Sequence, residues 1–116
     1  MVAAPLHPFS RGTLRLRSSD AREQLVVDLG FLTDVRDRAT LRAGLRLCMR
    51  VAREMEGAGY PVEYFKAPKA LDDASLDKFI WRKSQSFLHY SSTCRMAPLD
   101  DPEGPGVVDE CTGYAT

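Results

Sequence analysis

Residues Phe87 to Pro98 read FLHYSSTCRMAP, and this is where chemically capable side chains concentrate. The stretch carries an imidazole (His89), a phenol (Tyr90), the hydroxyls of Ser91, Ser92 and Thr93, a thiol (Cys94) and a guanidinium (Arg95). An imidazole changes charge near neutral pH and so can serve as general base or acid. Read alone, His89 fits a structural or surface role as well as a catalytic one. The other histidine, His7, lies in the N-terminal stretch. Competing chemistries find less support. A Ser–His hydrolase calls for a nucleophile elbow of the type G-x-S-x-G, which the chain lacks. A zinc site built from His89, Cys94, Cys111 and His7 would have spacings unlike the usual ones, so no metal is expected. Cys94 as a nucleophile needs a nearby cation. Arg95 is adjacent only in sequence, which leaves an inert thiol as the simpler reading. The chain has no G-x-G-x-x-G and no phosphate loop.

Several elements have to position this stretch. Thr13 to Arg17 alternate apolar and basic, the pattern of a short half-buried strand, with turn residues on both sides. Leu25 to Asp28 form a second short extended segment. Thr33 and Asp34 supply helix-capping side chains, and a long helix is expected over about 34–57. Its apolar stripe is Leu41, Leu45, Cys48, Ala52 and Met55, and Gly57 and Gly59 stop it. Arg38, Arg42, Arg46 and Arg50 recur every four residues on another face and read as a solvated surface. Val62 to Phe65 suggest another strand. Asp72 or Asp73 caps a second helix over about 74–86, with Leu76, Phe79, Ile80 and the stem of Lys83 inward. A Pro/Gly-rich loop occupies 98–106, and Val107-Val108 resume an apolar run. The class is α+β, with a short, mostly antiparallel sheet and two helices.

Composition narrows the partners. The chain has 116 residues, with 16 basic and 16 acidic side chains, so its formal net charge is zero. That gives no electrostatic case for nucleic acid or for an anionic membrane. No apolar run approaches the ~20 residues that span a bilayer. No secretory signal is visible, and three irregularly spaced cysteines do not make a disulfide framework. The thiols suit a reducing compartment, and the localisation stays open.

Four blocks, in order, resemble one family. HYSSTCRM, from His89 to Met96, resembles the histidine motif of the glucose–methanol–choline (GMC) flavin oxidoreductases, which runs roughly His-x-x-Gly/Ser-Thr-Cys-Arg-Met. His7 to Leu16 is similar to the P-x-S-R-G-x-v-x-L block that opens the family's C-terminal, substrate-binding domain. Val27-Asp28-Leu29-Gly30-Phe31-Leu32, followed by Asp34 and Asp37, resembles the block that leads into its long helix. Val107-Val108-Asp109 resembles the V-V-D that follows the histidine loop. The likeness runs from about residue 5 to 110, with 111–116 as a tail unlike the family. Ala97 stands where the family commonly has glycine.

The resemblance implies a function. In this family FAD accepts a hydride from an alcohol carbon while a histidine takes the hydroxyl proton, and His89 holds that position. Arg95 is expected to anchor the loop, and Ser91, Ser92, Thr93 and Cys94 to shape it. The family's flavin-binding glycines and its second active-site residue lie outside the matched blocks. The expectation is therefore a partial C-terminal domain, truncated at both ends and inactive alone, with a small-molecule alcohol as the substrate of the intact enzyme and a missing flavin-binding half as a partner. The alternative is a non-catalytic interaction fragment that pairs with a separate flavin domain or another partner. No residue of this chain is assigned to cofactor binding.

Overall fold

The computed structural model of the chain describes residues 1–89, 91, 93–102, 104 and 106–108. These fall into two units, Met1–Gln85 and a second that begins at Ser86. The expected tail 111–116 and the last residue of the V-V-D block, Asp109, lie outside the described residues.

The first unit holds the regular elements. Strands β1 (Thr13–Arg15) and β2 (Val26–Asp28) pair antiparallel, with Leu14 opposite Val27. The ribbon closes only because two glycines lie at its base. A Cβ on Gly12 would sit 2.2 Å from the carbonyl oxygen of Asp28, and one on Gly30 would sit 2.1 Å from that of Arg11. Gly30 also has φ +58°, a left-handed conformation that suits glycine. The strand expected to reach Arg17 stops at Arg15.

Helix α1 (Val35–Gly57) starts at Asp34, whose carboxylate accepts the Arg36 N–H at 2.8 Å. It ends as glycine and proline chemistry dictates. Gly59 N–H donates to the Glu56 carbonyl at 2.9 Å and Tyr60 N–H to that of Met55 at 3.0 Å, which is a Schellman closure, and Pro61 follows. Helix α2 (Asp73–Lys83) is capped by Asp72, which accepts the Ser75 N–H at 2.9 Å. It stops three residues earlier than expected, because Ser84 already has an extended backbone. The core of this unit gathers Ala52 of α1 with Leu76 and Ile80 of α2, while Lys83 is exposed.

Two expectations need correction. Val62 to Phe65 do not form a strand. A strand requires a partner edge, and this segment instead folds back toward α1, where the Tyr64 hydroxyl donates to the Glu56 carboxylate at 2.9 Å. The arginine row of α1 is not simply a solvated face. Arg42 pairs with Asp77 at 2.7 Å, and Arg46 donates to the Leu71 carbonyl and pairs with Asp73. The acidic start of α2 lies across from those two arginines, so complementary charge joins the helices where the sequence pattern suggested only solvent.

Asp37 ties the N-terminal block to α1. It is buried, 3% exposed, and its two carboxylate oxygens accept the N–H groups of Phe9 at 2.8 Å and Ser10 at 2.7 Å. Ser10 Oγ in turn accepts the Asp34 N–H at 3.1 Å, one of the amides that a helix start leaves unpaired. The Arg36 guanidinium stacks over the Phe9 ring at 3.7 Å. Burial pushes the Asp37 carboxyl up, but the hydrogen bonds from Ser10 and Phe9 outweigh it and hold the group below its ordinary value of 3.8. Asp34 is pulled down to about 2, chiefly by the Arg36 side chain and then by its amide.

Charge-assisted hydrogen bonds of this kind contribute about 1.5–3 kcal/mol each, so Asp37→Ala is expected to lower unfolding free energy by roughly 3 kcal/mol in urea denaturation. Because both carboxyls titrate lower when folded, their contribution is complete above the unfolded value near 3.8 and is lost as pH falls from there toward about 2. Acid titration of the wild type followed by circular dichroism should show that fall, and Asp37→Ala should flatten it. A second expectation separates the glycines. Gly57 has open space around it, so Gly57→Ala should stabilise the chain by up to about 1 kcal/mol. Gly12→Ala should destabilise it in the same assay.

Candidate functional site

The second unit begins at Ser86 and contains the histidine stretch. Ser86 Oγ accepts the Leu88 N–H at 3.0 Å, closing a tight turn. Leu88 itself has φ +62°, which is rare for a bulky residue. The turn brings the Phe87 and His89 rings together, with centroids 5.7 Å apart and planes tilted by 31°. The His89 side chain is exposed, as are Ser91, Thr93 and the free thiol of Cys94. Tyr90 and Ser92 lie outside the described residues.

Downstream of the histidine the chain forms a loop with a closed neck. Met96 and Val108 make an isolated parallel bridge. Ala97 N–H donates to the Val108 carbonyl and Val107 N–H to that of Arg95, each at 3.0 Å. A Cβ on Gly106 would lie 2.2 Å from the Ala97 carbonyl oxygen, so only glycine passes so close. Ala97 is buried, which gives the residue that departs from the family pattern a packing role in the neck. Within the loop, the Arg95 guanidinium pairs with Asp101 at 3.0 Å and donates to the Gly104 carbonyl. The side chains of this ion pair are 28% and 25% exposed, which screens it less than an open surface pair. Arg95 thus anchors the loop, as the resemblance implied.

Neither helix start in the first unit suits the phosphates of a dinucleotide. An anion binds where helix amides are free to face it. Here the carboxylates of Asp34 and Asp72 already occupy both N-termini and would repel it. These two helix starts therefore do not fit the diphosphate of FAD. An open apolar groove runs along α1, lined by Leu47, Val51, Met55 and Tyr60 with Arg50 and Glu54 at its side, and it contains none of the residues of the histidine stretch. Sequence reasoning missed Asp37 as a clamp, Asp101 as the partner of Arg95, and Phe87 as the neighbour of His89. The last carried no sequence signal, since the contact depends on the left-handed backbone at Leu88.

Arg95→Ala removes the donor to both Asp101 and Gly104. The loss should open the loop about tenfold more often, for one charge-assisted hydrogen bond of roughly 1.5 kcal/mol. Limited proteolysis within 98–106 is expected to speed up accordingly, while amide exchange in α1 stays as in the wild type.

Comparison with known proteins places these features. A family model described as GMC oxidoreductase matches residues 8–113. The chain is 32% identical over 111 residues to versicolorin B synthase of Aspergillus parasiticus, covering 94% of this chain and 17% of that protein. It is 34% identical over 107 residues to an uncharacterized GMC-type oxidoreductase of Mycobacterium bovis, covering 83% and 20%. It is 34% identical over 113 residues to oxygen-dependent choline dehydrogenase of Brucella anthropi, covering 92% and 20%. The chain thus spans about a fifth of the length of these relatives. No solved structure matches it. With the histidine stretch, the N-terminal block and the start of the long helix all inside the matched span, the chain belongs to the GMC oxidoreductase family, of which it carries C-terminal domain sequence.

Proposed function

We propose that this chain supplies the substrate-side part of an FAD-dependent alcohol oxidoreductase, with His89 as the base that takes the hydroxyl proton. The observation that carries the reading is the exposed His89 imidazole, set on a closed turn two residues from an aromatic ring and followed by an anchored loop. An exposed, oriented base can reach a substrate hydroxyl, and orientation lowers the barrier to proton transfer. When bound, FAD supplies the hydride acceptor. On this reading the flavin is held outside the described residues, whose two helix starts are already capped by Asp34 and Asp72, and the chain on its own is expected not to oxidise alcohols.

A second reading draws support from the ribbon. Leu14, Leu16, Leu25, Val27 and Phe31 are all at least 45% exposed, an apolar surface that water disfavours. On this reading the chain is a non-catalytic fragment whose ribbon is covered by a flavin-binding domain.

Two measurements test the proposal. Purified chain titrated with FAD should show no stoichiometric binding and no bleaching on adding alcohol; bleaching would overturn the inactivity of these residues alone. In a flavin-loaded polypeptide that carries them, His89→Ala should lower kcat by about 10²–10⁴-fold, the range expected for loss of a general base. Unchanged kcat would overturn the role of His89 and favour the second reading.

A further inference from the structure

The turn at Ser86–His89 spends an unfavourable backbone conformation on a ring contact. Leu88 adopts φ +62°, which a branched apolar residue without special cause avoids. Nothing about its side chain explains this, for Leu88 is 73% exposed. What the conformation achieves is local. It lets the Leu88 N–H reach Ser86 Oγ and sets the Phe87 and His89 rings 5.7 Å apart. That separation lies within the range in which aromatic pairs attract, and a 31° tilt is close to offset stacking. Phe87 is itself 59% exposed, so burial does not account for its placement either.

We infer that Phe87 is a positioning residue for His89: its ring restricts the imidazole to one orientation, and the left-handed turn at Leu88 holds the two together. This rests on the reading of His89 as the proton acceptor and adds the group that aims it. An imidazole free to rotate about its side-chain bonds spends only part of its time directed at a substrate hydroxyl. A neighbouring ring removes part of that freedom before substrate arrives, and misplacement of a base by about 1 Å can cost as much as a hundredfold in rate.

The chain has two histidines, so His7 serves as an internal reference for His89. In the full chain with labelled histidine, the imidazole protons of His89 are expected to be displaced by the Phe87 ring current and those of His7 not. The amide spectrum of α1 reports that each variant is folded. Phe87→Leu should abolish the displacement and Phe87→Tyr should keep it. Leu88→Asn, which tolerates positive φ, should keep it, whereas Leu88→Val, which stays apolar but resists positive φ, should reduce it. Equal imidazole shifts for the two histidines in the wild type, or a displacement that survives Phe87→Leu, would overturn the inference. In a flavin-loaded polypeptide whose turnover depends on His89, Phe87→Leu should lower kcat about tenfold with KM little changed, and Phe87→Tyr should restore it. Unchanged kcat in Phe87→Leu also overturns it. If His89→Ala leaves turnover intact, the functional reading fails, and the spectrum still decides whether the ring contact exists.

Discussion

Burying a carboxylate is unfavourable by several kcal/mol unless hydrogen bonds replace its water, and Asp37 is buried with two amides in that role. The arrangement at the start of the chain depends on this exchange. The amides belong to Phe9 and Ser10, so the carboxylate fixes the segment that leads into β1 against the first turn of α1. Ser10 returns the interaction by accepting from Asp34, the N-cap of the same helix. Strand approach, helix start and cap are thus satisfied by one another. The close passage of Gly12 and Gly30 at the base of the ribbon follows on from this fixed point.

Charge does for α1 and α2 what apolar area does incompletely. Few side chains in this unit are deeply buried: Leu32, Ala52, Leu76 and Ile80 are the apolar ones among the described residues. Arg42 and Arg46 reach Asp73, Asp77 and the carbonyl of Leu71. The Arg42 side chain is only 16% exposed, so its pair with Asp77 is partly sheltered from solvent. The acidic first turn of α2 serves two ends, since Asp72 caps the helix and Asp73 receives an arginine from its neighbour.

The elements written in local chemistry were legible in the sequence. Asp34 and Asp72 as caps, the glycine stop after Gly57, the Leu14-centred strand and the helix class at both sites follow from side chains that act within a few residues. Interactions between distant residues were less so. The row from Arg38 to Arg50 carries no mark of which arginines will find a carboxylate, because that depends on where α2 lies. Val62 to Phe65 have strand-like composition but no edge to join. At the candidate site, His89 and Arg95 stood out by type. Phe87 did not, because its significance comes from a backbone angle at Leu88 that composition does not announce. Asp101 was hidden in a loop whose acidic and proline residues read only as a turn.

The neck formed by Arg95–Ala97 with Val107 and Val108 has an evolutionary consequence. Its hydrogen bonds join backbone groups, and its tightest contact requires only glycine at 106. Neither depends on the identity of Leu99, Asp100 or Pro102. The entropy of closing a loop grows slowly with length, so Leu99, Asp100 and Pro102 can be exchanged without displacing the bridge at its base, provided that Asp101, Gly104 and Gly106 keep their contacts. The histidine segment on one side of the neck is thereby insulated from drift on the other. Changes at Leu99 or Asp100 leave the residues that lead into the loop in register.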